Sequence, residues 1–229
     1  MPEKQVSATL LLVCKKPLLN QGKQRLAATL GAESAVLLAR ALLNCALEDL
    51  ADWPGPVVIS PSTAKDTAWA QALLPQRPDL LVQPQPSGNL GERINQVDQV
   101  LRKQGHQRII IIGSDAPMLT AEHYAEAAQA LTEYPVVFSA ADDGGVILMG
   151  ARQPWPELGP LPWSTERLGQ ALCQTCADHG LKAGFIRPGY DIDLQDDLLK
   201  LAVDLASDPR PARQALLKQI AQVLPKSFL

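Results

Sequence analysis

The chain has 229 residues, of which 46% are hydrophobic, and a formal net charge of −3 at pH 7. This length and composition suffice to bury one large hydrophobic core, which predicts a single domain. The acidic balance and the lack of a basic tract argue against nucleic acid and membranes as partners. The apolar run at residues 8–14 lacks the pattern of a signal peptide, and no run approaches the roughly 18 residues of a membrane span, so we expect a cytoplasmic protein.

Strand-like and helix-like segments alternate along most of the chain. Strands are predicted at residues 6–14, 57–60, 80–83, 108–113, 136–140, 146–150 and 182–187. Helices are predicted at residues 33–50, 63–74, 90–104, 121–133 behind a Thr120 cap, 165–179, 194–206 and 212–224. This order predicts an α/β fold with right-handed crossovers, a mostly parallel sheet and a small antiparallel hairpin around residues 142–145. We expect one domain over residues 1–229, with its core at about 6–206 and a C-terminal amphipathic helix at about 210–224.

The segment IIIIGSDAP, from Ile109 to Pro117, combines an apolar strand with a carboxylate just beyond the strand end. An apolar run without polar alternation is typical of a strand that is covered on both faces. Open α/β sheets bind ligands outside the carboxyl ends of their strands, which is where Asp115 would lie. The alternative is that Asp115 only caps the following helix.

Asp191 and Asp193 form a second acidic segment late in the chain. Residues two apart in an extended segment point the same way, so these two carboxylates can converge on one ion. A hard cation such as Mg²⁺ prefers oxygen ligands, and Asp115 with one or both of these aspartates would supply them. Asp193 could instead cap the helix that begins near Leu194, although that would leave Asp191 unexplained.

A basic loop follows the first strand, where a Walker or dinucleotide-binding glycine motif is lacking. Lys15, Lys16, Lys23 and Arg25 lie within eleven positions of one another. Lysine and arginine both suit phosphate oxygens, and this loop would face the same crevice as Asp115. The alternative is a solvated basic loop without a ligand.

The segment GNLGERI contains two glycines, Gly88 and Gly91, at the start of a predicted helix. Backbone amides at such a helix N-terminus bind anions, and Arg93 could add a contact to phosphate. An ordinary junction between a loop and a helix explains the same spacing equally well. Asp142 and Asp143 are candidates for a sugar or acceptor contact, although Asp-Gly is also ordinary turn chemistry.

In this order, the segments resemble a bacterial family of uncharacterised domains in the nucleotide-diphospho-sugar transferase (GT-A-like) superfamily. Its members are commonly labelled glycosyltransferases of the arsenosugar-biosynthesis type. The matching residues are Lys15, Pro17, Lys23, Arg25, Leu26, residues 88 and 90–93, Gly113, Ser114, Asp115, Pro117, residues 143–145, residues 162–165, Asp191, Asp193, Asp197 and Leu198. The chain departs from the family pattern at Asn20, Gln24, Asn89 and Val146. More distantly, it is similar to the 2-phospholactate guanylyltransferases.

The resemblance implies a GT-A-like three-layer fold and a divalent cation, Mg²⁺ or Mn²⁺, held by Asp115, Asp191 and Asp193. It implies a transferase that binds a nucleotide-sugar and an unidentified acceptor, with glycosyl transfer as the leading hypothesis. A nucleotidyltransferase acting on a phosphorylated acceptor and a non-catalytic ligand-binding descendant are the alternatives. The predicted roles are catalysis for Asp115, Lys23 and Arg25, phosphate binding for Lys15, Lys16, Lys23, Arg25, Gly88, Gly91 and Arg93, and acceptor binding for Asp142, Asp143, Gly144 and Trp163.

Overall fold

The fold is built around one mixed β-sheet, seen in a computed structural model that describes residues 8–224. Its seven strands are β1 (Thr9–Cys14), β2 (Val57–Pro61), β3 (Leu81–Val82), β4 (Ile109–Ile112), β5 (Val136–Ala140), β6 (Val146–Ala151) and β7 (Ala183–Phe185). They lie in the order β3-β2-β1-β4-β6-β5-β7. Strand β6 runs antiparallel to β4 and β5, and every other neighbouring pair is parallel. The predicted α/β fold and the antiparallel hairpin are confirmed.

Helices cover both faces of this sheet. The α-helices of the described residues are α1 (Gln24–Leu30), α2 (Ala32–Asp52), α3 (Thr67–Gln71), α4 (Leu90–Lys103), α5 (Ala121–Glu133), α6 (Leu168–Asp178), α7 (Gln195–Asp204) and α8 (Pro211–Val223). One hydrophobic cluster joins the sheet to α2, α3 and α5, and a second joins its other face to α4 and α6. Because both faces are covered, the four isoleucines of β4 are all buried.

A third hydrophobic cluster lies on the outer side of α2, away from the sheet. Helices α1, α7 and α8 pack there, and Leu216 and Ile220 of α8 are fully buried against Leu38 and Leu42 of α2. Helix α2 therefore lies between the sheet and a further layer of helices. The apolar side of α8 explains why this last segment folds onto the domain.

Several predicted elements have other bounds in the structure, and three differences concern the first part of the chain. The basic loop ends in a short helix, α1, because Leu26 is fully buried in the third cluster. The predicted helix at 63–74 is a 3-10 turn, Ala64–Asp66, followed by the five residues of α3, and Thr63 caps that turn at the Lys65 N–H. The first strand begins at Thr9, and residues 6 and 7 of its predicted span lie outside the described residues.

The strand order creates a crevice at the carboxyl edge of the sheet. The chain passes from β1 to β2 and β3 on one side, whereas β4 pairs with β1 on the other side. The connections that follow β1 and β4 therefore lead toward opposite edges of the sheet. Ligands bind at this kind of switch point in open α/β sheets.

Candidate functional site

Three loops at the carboxyl edge bring predicted site residues together. Lys23 directly precedes α1, Asp115 follows β4, and Asp193 lies two residues before α7. The N–H of Ile192 donates to the Asp115 carbonyl at 2.9 Å, which joins the last two loops. Residues that are far apart in the sequence thus form one cluster of charges.

The Lys23 ammonium is the centre of this cluster. Its Nζ lies 3.0 Å from Asp115 Oδ2 and 3.2 Å from Asp193 Oδ1, and it also donates to the Ile192 carbonyl. The Lys23 side chain is only 7% exposed, whereas the two carboxylates are 45% and 42% exposed. Burial alone would lower the pKa of Lys23, but the two carboxylates outweigh it and raise that pKa above its usual value.

A turn with left-handed backbone aims Lys23 into the site. Asn20, Gly22 and Lys23 have φ angles of 62°, 73° and 45°. A left-handed conformation costs an L-residue about 1–2 kcal/mol, a cost that its ion pairs can offset at Lys23. Asn20 adopts the left-handed backbone that asparagine tolerates.

The acidic residues around Lys23 have distinct surroundings. The N-cap of α7 is Leu194 and not Asp193, and the Asp197 carboxylate in the first turn accepts from the N–H groups of Asp193 and Leu194. The Asp193 side chain contacts Lys23 instead. Asp191 is half-buried, and its pKa is raised to about 6 by burial and by the neighbouring carboxylates of Asp143 and Asp193. Asp191 therefore holds its proton more tightly than an ordinary aspartate does.

The remaining cations of the basic loop differ in their exposure to solvent. Arg25 Nη1 lies 3.2 Å from Asp193 Oδ2, and the arginine side chain is 63% exposed. Lys15 is exposed and Lys16 is half-buried, earlier in the same loop. Lys15 and Arg25 are therefore open to a ligand from solvent, whereas the Lys23 side chain is not.

The glycine motif before α4 has a clear packing role. A Cβ on Gly91 would lie 2.1 Å from the Leu158 carbonyl oxygen, so only glycine allows α4 to approach that loop. Asn89 caps α4 by accepting from the Glu92 N–H at 3.0 Å, and Arg93 Nε donates to the Gly88 carbonyl at 2.7 Å. Phosphate binding by Gly88, Gly91 and Arg93 stays a prediction.

The residues predicted to bind an acceptor also have local partners. Asp142 pairs with Lys200 at 2.6 Å, and Asp143 Oδ1 accepts from the Gly145 N–H at 2.9 Å within the turn. Trp163 donates its indole N–H to the Leu158 carbonyl at 2.9 Å and packs against the second hydrophobic cluster. A Cβ on Gly144 would lie 2.2 Å from the Glu166 carbonyl oxygen. These contacts account for the residues structurally, and their acceptor role stays a prediction.

The metal prediction depends on the carboxylates around Lys23. Within residues 8–224, no three His, Cys, Asp or Glu side chains are grouped as metal ligands. Asp115 and Asp193 supply the oxygen donors that Mg²⁺ or Mn²⁺ prefers, and the two already share one cation, the Lys23 ammonium. The donor chemistry therefore fits a divalent cation once the ammonium has moved, and binding by Asp115, Asp191 and Asp193 stays a prediction.

A buried arginine behind the site was missed at the level of sequence. The Arg213 side chain of α8 is 0% exposed and pairs with Asp49 at 2.6 Å and with Glu48 at 2.9 Å. It also donates to the carbonyls of Pro117 and Leu119, in the loop that carries Asp115. The available signal was its spacing, because Arg213 lies three residues before Leu216 and seven before Ile220 on the apolar side of α8.

Comparisons with known proteins agree with this architecture. A candidate nucleotide-diphospho-sugar transferase from Desulfovibrio desulfuricans G20 is 25% identical, with a TM-score of 0.83 over 95% of this chain and 98% of that chain. A cytidylyltransferase from Leptospira borgpetersenii serovar Hardjo-bovis (strain JB197) is 11% identical, with a TM-score of 0.54 over 95% and 94%. A mannosyltransferase from Pyrobaculum calidifontis, in complex with GDP-Man and Mn²⁺, is 14% identical, with a TM-score of 0.51 over 93% and 69%. The last two likenesses concern the fold alone.

At the level of sequence, no curated protein matches the chain significantly. No helix within residues 8–224 has both the length and the apolar character needed to cross a membrane. Residues 42–165, more than half of the chain, match the family described as "Uncharacterized protein conserved in bacteria (DUF2064)". The chain therefore belongs to this bacterial family, and it has the nucleotide-diphospho-sugar transferase fold.

Proposed function

We propose that the chain is a divalent-metal-dependent glycosyltransferase that binds a nucleotide-sugar. The observation that carries this proposal is the cluster of Lys23, Asp115 and Asp193 at the switch point between β1 and β4. In an open α/β sheet this edge is where a phosphorylated ligand would bind. The 25% identical structure of a candidate nucleotide-diphospho-sugar transferase supports the same reading over nearly the whole chain.

Each charged group has a role in this proposal. Asp115 and Asp193, with Asp191, would hold Mg²⁺ or Mn²⁺, which neutralises charge on a diphosphate leaving group when it is bound. Lys15, Lys16 and Arg25 would bind the phosphates from the loop after β1, where Lys15 and Arg25 are exposed to solvent.

The other residues would complete the ligand site. Arg93 would contact phosphate beside the N-terminus of α4, where Gly88 and Gly91 lie. The side that carries Asp142, Asp143, Gly144 and Trp163 would face the acceptor.

Titration calorimetry with nucleoside diphosphates, triphosphates and nucleotide-sugars tests the proposal, with and without Mg²⁺. We expect Mg²⁺-dependent binding of at least one nucleotide-sugar, and a loss of about 100-fold in its affinity in Asp115→Asn or Asp193→Asn. Asp178→Asn, on the exposed surface of α6, is the matched control and should bind as the unchanged protein does. Absence of binding to every nucleotide would refute the proposal.

A nucleotidyltransferase is the second candidate, favoured by the basic loop. Lys15, Lys16, Lys23 and Arg25 supply the four cations that a triphosphate would attract. Release of pyrophosphate from a nucleoside triphosphate with a phosphorylated acceptor would identify this activity. Glycosyl transfer would instead release a nucleoside diphosphate or monophosphate from a nucleotide-sugar.

A non-catalytic ligand-binding protein is the third candidate, motivated by the departures from the family pattern. Two of them keep local structure, because Asn20 adopts the left-handed backbone and Asn89 caps α4. Gln24 and Val146 are the other two. The double variant Asn89→Asp, Val146→Tyr tests this candidate, and the absence of any gain in turnover would favour it.

A further inference from the structure

All hydrogen-bond donors of the Lys23 ammonium are in use. A lysine ammonium has three N–H donors and no acceptor. Asp115 Oδ2, Asp193 Oδ1 and the Ile192 carbonyl take one donor each. In this arrangement, Lys23 can donate to a phosphate only after it has released one of these partners.

The ammonium also lies where a single cation can contact the carboxylates of both Asp115 and Asp193. Its Nζ lies 3.0 Å from Asp115 and 3.2 Å from Asp193. The carboxylates are far more exposed than the ammonium, so a cation from solvent would meet their oxygens first. A divalent cation and an ammonium repel each other at such short range, which makes it unfavourable for the pair to hold both.

The backbone at Lys23 is strained and lies where a local change can move the side chain. Lys23 has a left-handed φ of 45° directly after Gly22, and it is the last residue before α1. Strained backbone persists where surrounding contacts hold it. Here the holding contacts are the three oxygens around Nζ, so losing them would leave little to keep the side chain in this position.

We propose, taking the proposed function as the basis, that the Lys23 ammonium is the resident counter-ion of Asp115 and Asp193 and competes with a divalent cation for them. Binding of the cation to this pair displaces the ammonium, whose donors then become available to a phosphate. Cation binding and phosphate binding at Lys23 are thereby coupled. Lys23 pairs with the two carboxylates before the divalent cation and the phosphate bind, and it donates to the phosphate afterwards.

Binding of Mn²⁺ to the nucleotide-free protein tests the competition directly. Electron paramagnetic resonance of free Mn²⁺ gives the dissociation constant for the unchanged chain and for Lys23→Met, which keeps the length and removes the charge. We expect the dissociation constant for Mn²⁺ to be lower by about tenfold or more in Lys23→Met, because the competing charge is gone. Lys103→Met, at the exposed end of α4, is the control and should leave the affinity within about twofold. Equal or weaker binding in Lys23→Met would overturn the proposal.

A second measurement uses the unchanged chain, so it holds even if Lys23→Met fails to fold. Acetylation by a water-soluble amine-reactive ester, followed by mass spectrometry, reports how accessible each lysine is. Mn²⁺ should speed the labelling of Lys23 several-fold and leave the labelling of Lys16 unchanged. A Lys23 rate that is unchanged or lower in Mn²⁺ would overturn the proposal. Nucleotide-sugar binding is measured separately, so its absence refutes the proposed function whatever the Mn²⁺ results are.

Discussion

Two clusters of charge in this molecule have similar chemistry and different surroundings. One cluster surrounds Lys23 at the sheet edge, and the other surrounds Arg213 behind it. In each, a buried cation bridges two carboxylates and also donates to a backbone carbonyl oxygen. Around Arg213, the carboxylates of Glu48 and Asp49 are 16% and 6% exposed. Around Lys23, the carboxylates are 45% and 42% exposed.

The difference separates a structural role from a ligand-binding one. The Arg213 cluster is closed, since Asp49 also accepts from the Tyr124 hydroxyl at 2.8 Å and from Arg210 at 3.1 Å. A closed cluster stabilises the native packing of α8 on α2 and offers nothing to a ligand. The Lys23 cluster presents carboxylate oxygens to solvent, so its charges can be rearranged by an incoming ion.

The largest expected effect comes from breaking the closed cluster. Arg213→Met keeps much of the side-chain volume but leaves Asp49 and Glu48 without their buried partner. We expect the free energy of unfolding, measured in urea, to fall by about 3–5 kcal/mol. Arg187→Met is the control, because Arg187 forms an exposed, solvent-screened pair with Glu126 and its loss should change the stability little. A loss below about 1 kcal/mol for Arg213→Met would show that the closed cluster is not structural.

A smaller effect should follow from the pH dependence of Asp191 beside the open cluster. Its pKa is about 6 in the folded chain, above the ordinary 3.8, so the folded state holds the proton more tightly than the unfolded state. Stability is therefore lost as the pH rises through this interval, and the loss persists above it. Asp191→Asn does not titrate, so its stability relative to the unchanged chain should rise by roughly 1 kcal/mol between about pH 4 and pH 7, after allowance for solvent screening.

Urea unfolding at both pH values measures this difference, and carbon-13 NMR of the Asp191 carboxyl follows its titration. Asp178→Asn, on the exposed surface of α6, is the matched control. A difference that stays constant or falls with rising pH would contradict the assigned environment of Asp191.

The smallest expected effect is at Arg25, on the exposed rim of the open cluster. Its pair with Asp193 is solvated, since the arginine side chain is 63% exposed. Arg25→Ala should change the free energy of unfolding by less than about 0.5 kcal/mol. This change should depend little on the salt concentration. Urea unfolding at low and high ionic strength checks this, and a loss above about 1.5 kcal/mol would mean that the rim is structural.

Much of the fold could be predicted because local patterns and buried contacts agree. Helix α5 has the predicted bounds, Ala121–Glu133, and β5 has the predicted bounds, Val136–Ala140. Helix α1 was missed because its seven residues follow a turn with Gly22 and end at Gly31, which resembles a loop in sequence. Its helical form depends on burying Leu26 in a cluster that also includes residues of α7 and α8, far along the chain.

For the candidate site, the sequence predicted where residues such as Asp115 lie in the fold, but it did not predict which side chains contact one another. Asp115 and Asp193 could be placed at the sheet edge because both follow strand-like segments. The orientation of Lys23 could not, because a lysine in a loop suits phosphate and carboxylate equally well, and its carboxylate partner Asp193 lies 170 positions later. Pairing at that separation depends on the folded topology, which side-chain type and spacing do not reveal.

The hydrogen bonds from Arg213 to Pro117 and Leu119 make the end of the chain a brace for the loop that presents Asp115. Removing α8 would leave the Pro117 carbonyl without its guanidinium donor, whereas the Leu119 carbonyl would still accept from Arg210. A fragment limited to residues 42–165, the span that matches the family, would lack this brace and would also lack Lys23 and Asp193. The smallest piece that can preserve the ion cluster must therefore extend from the first strand to the last helix.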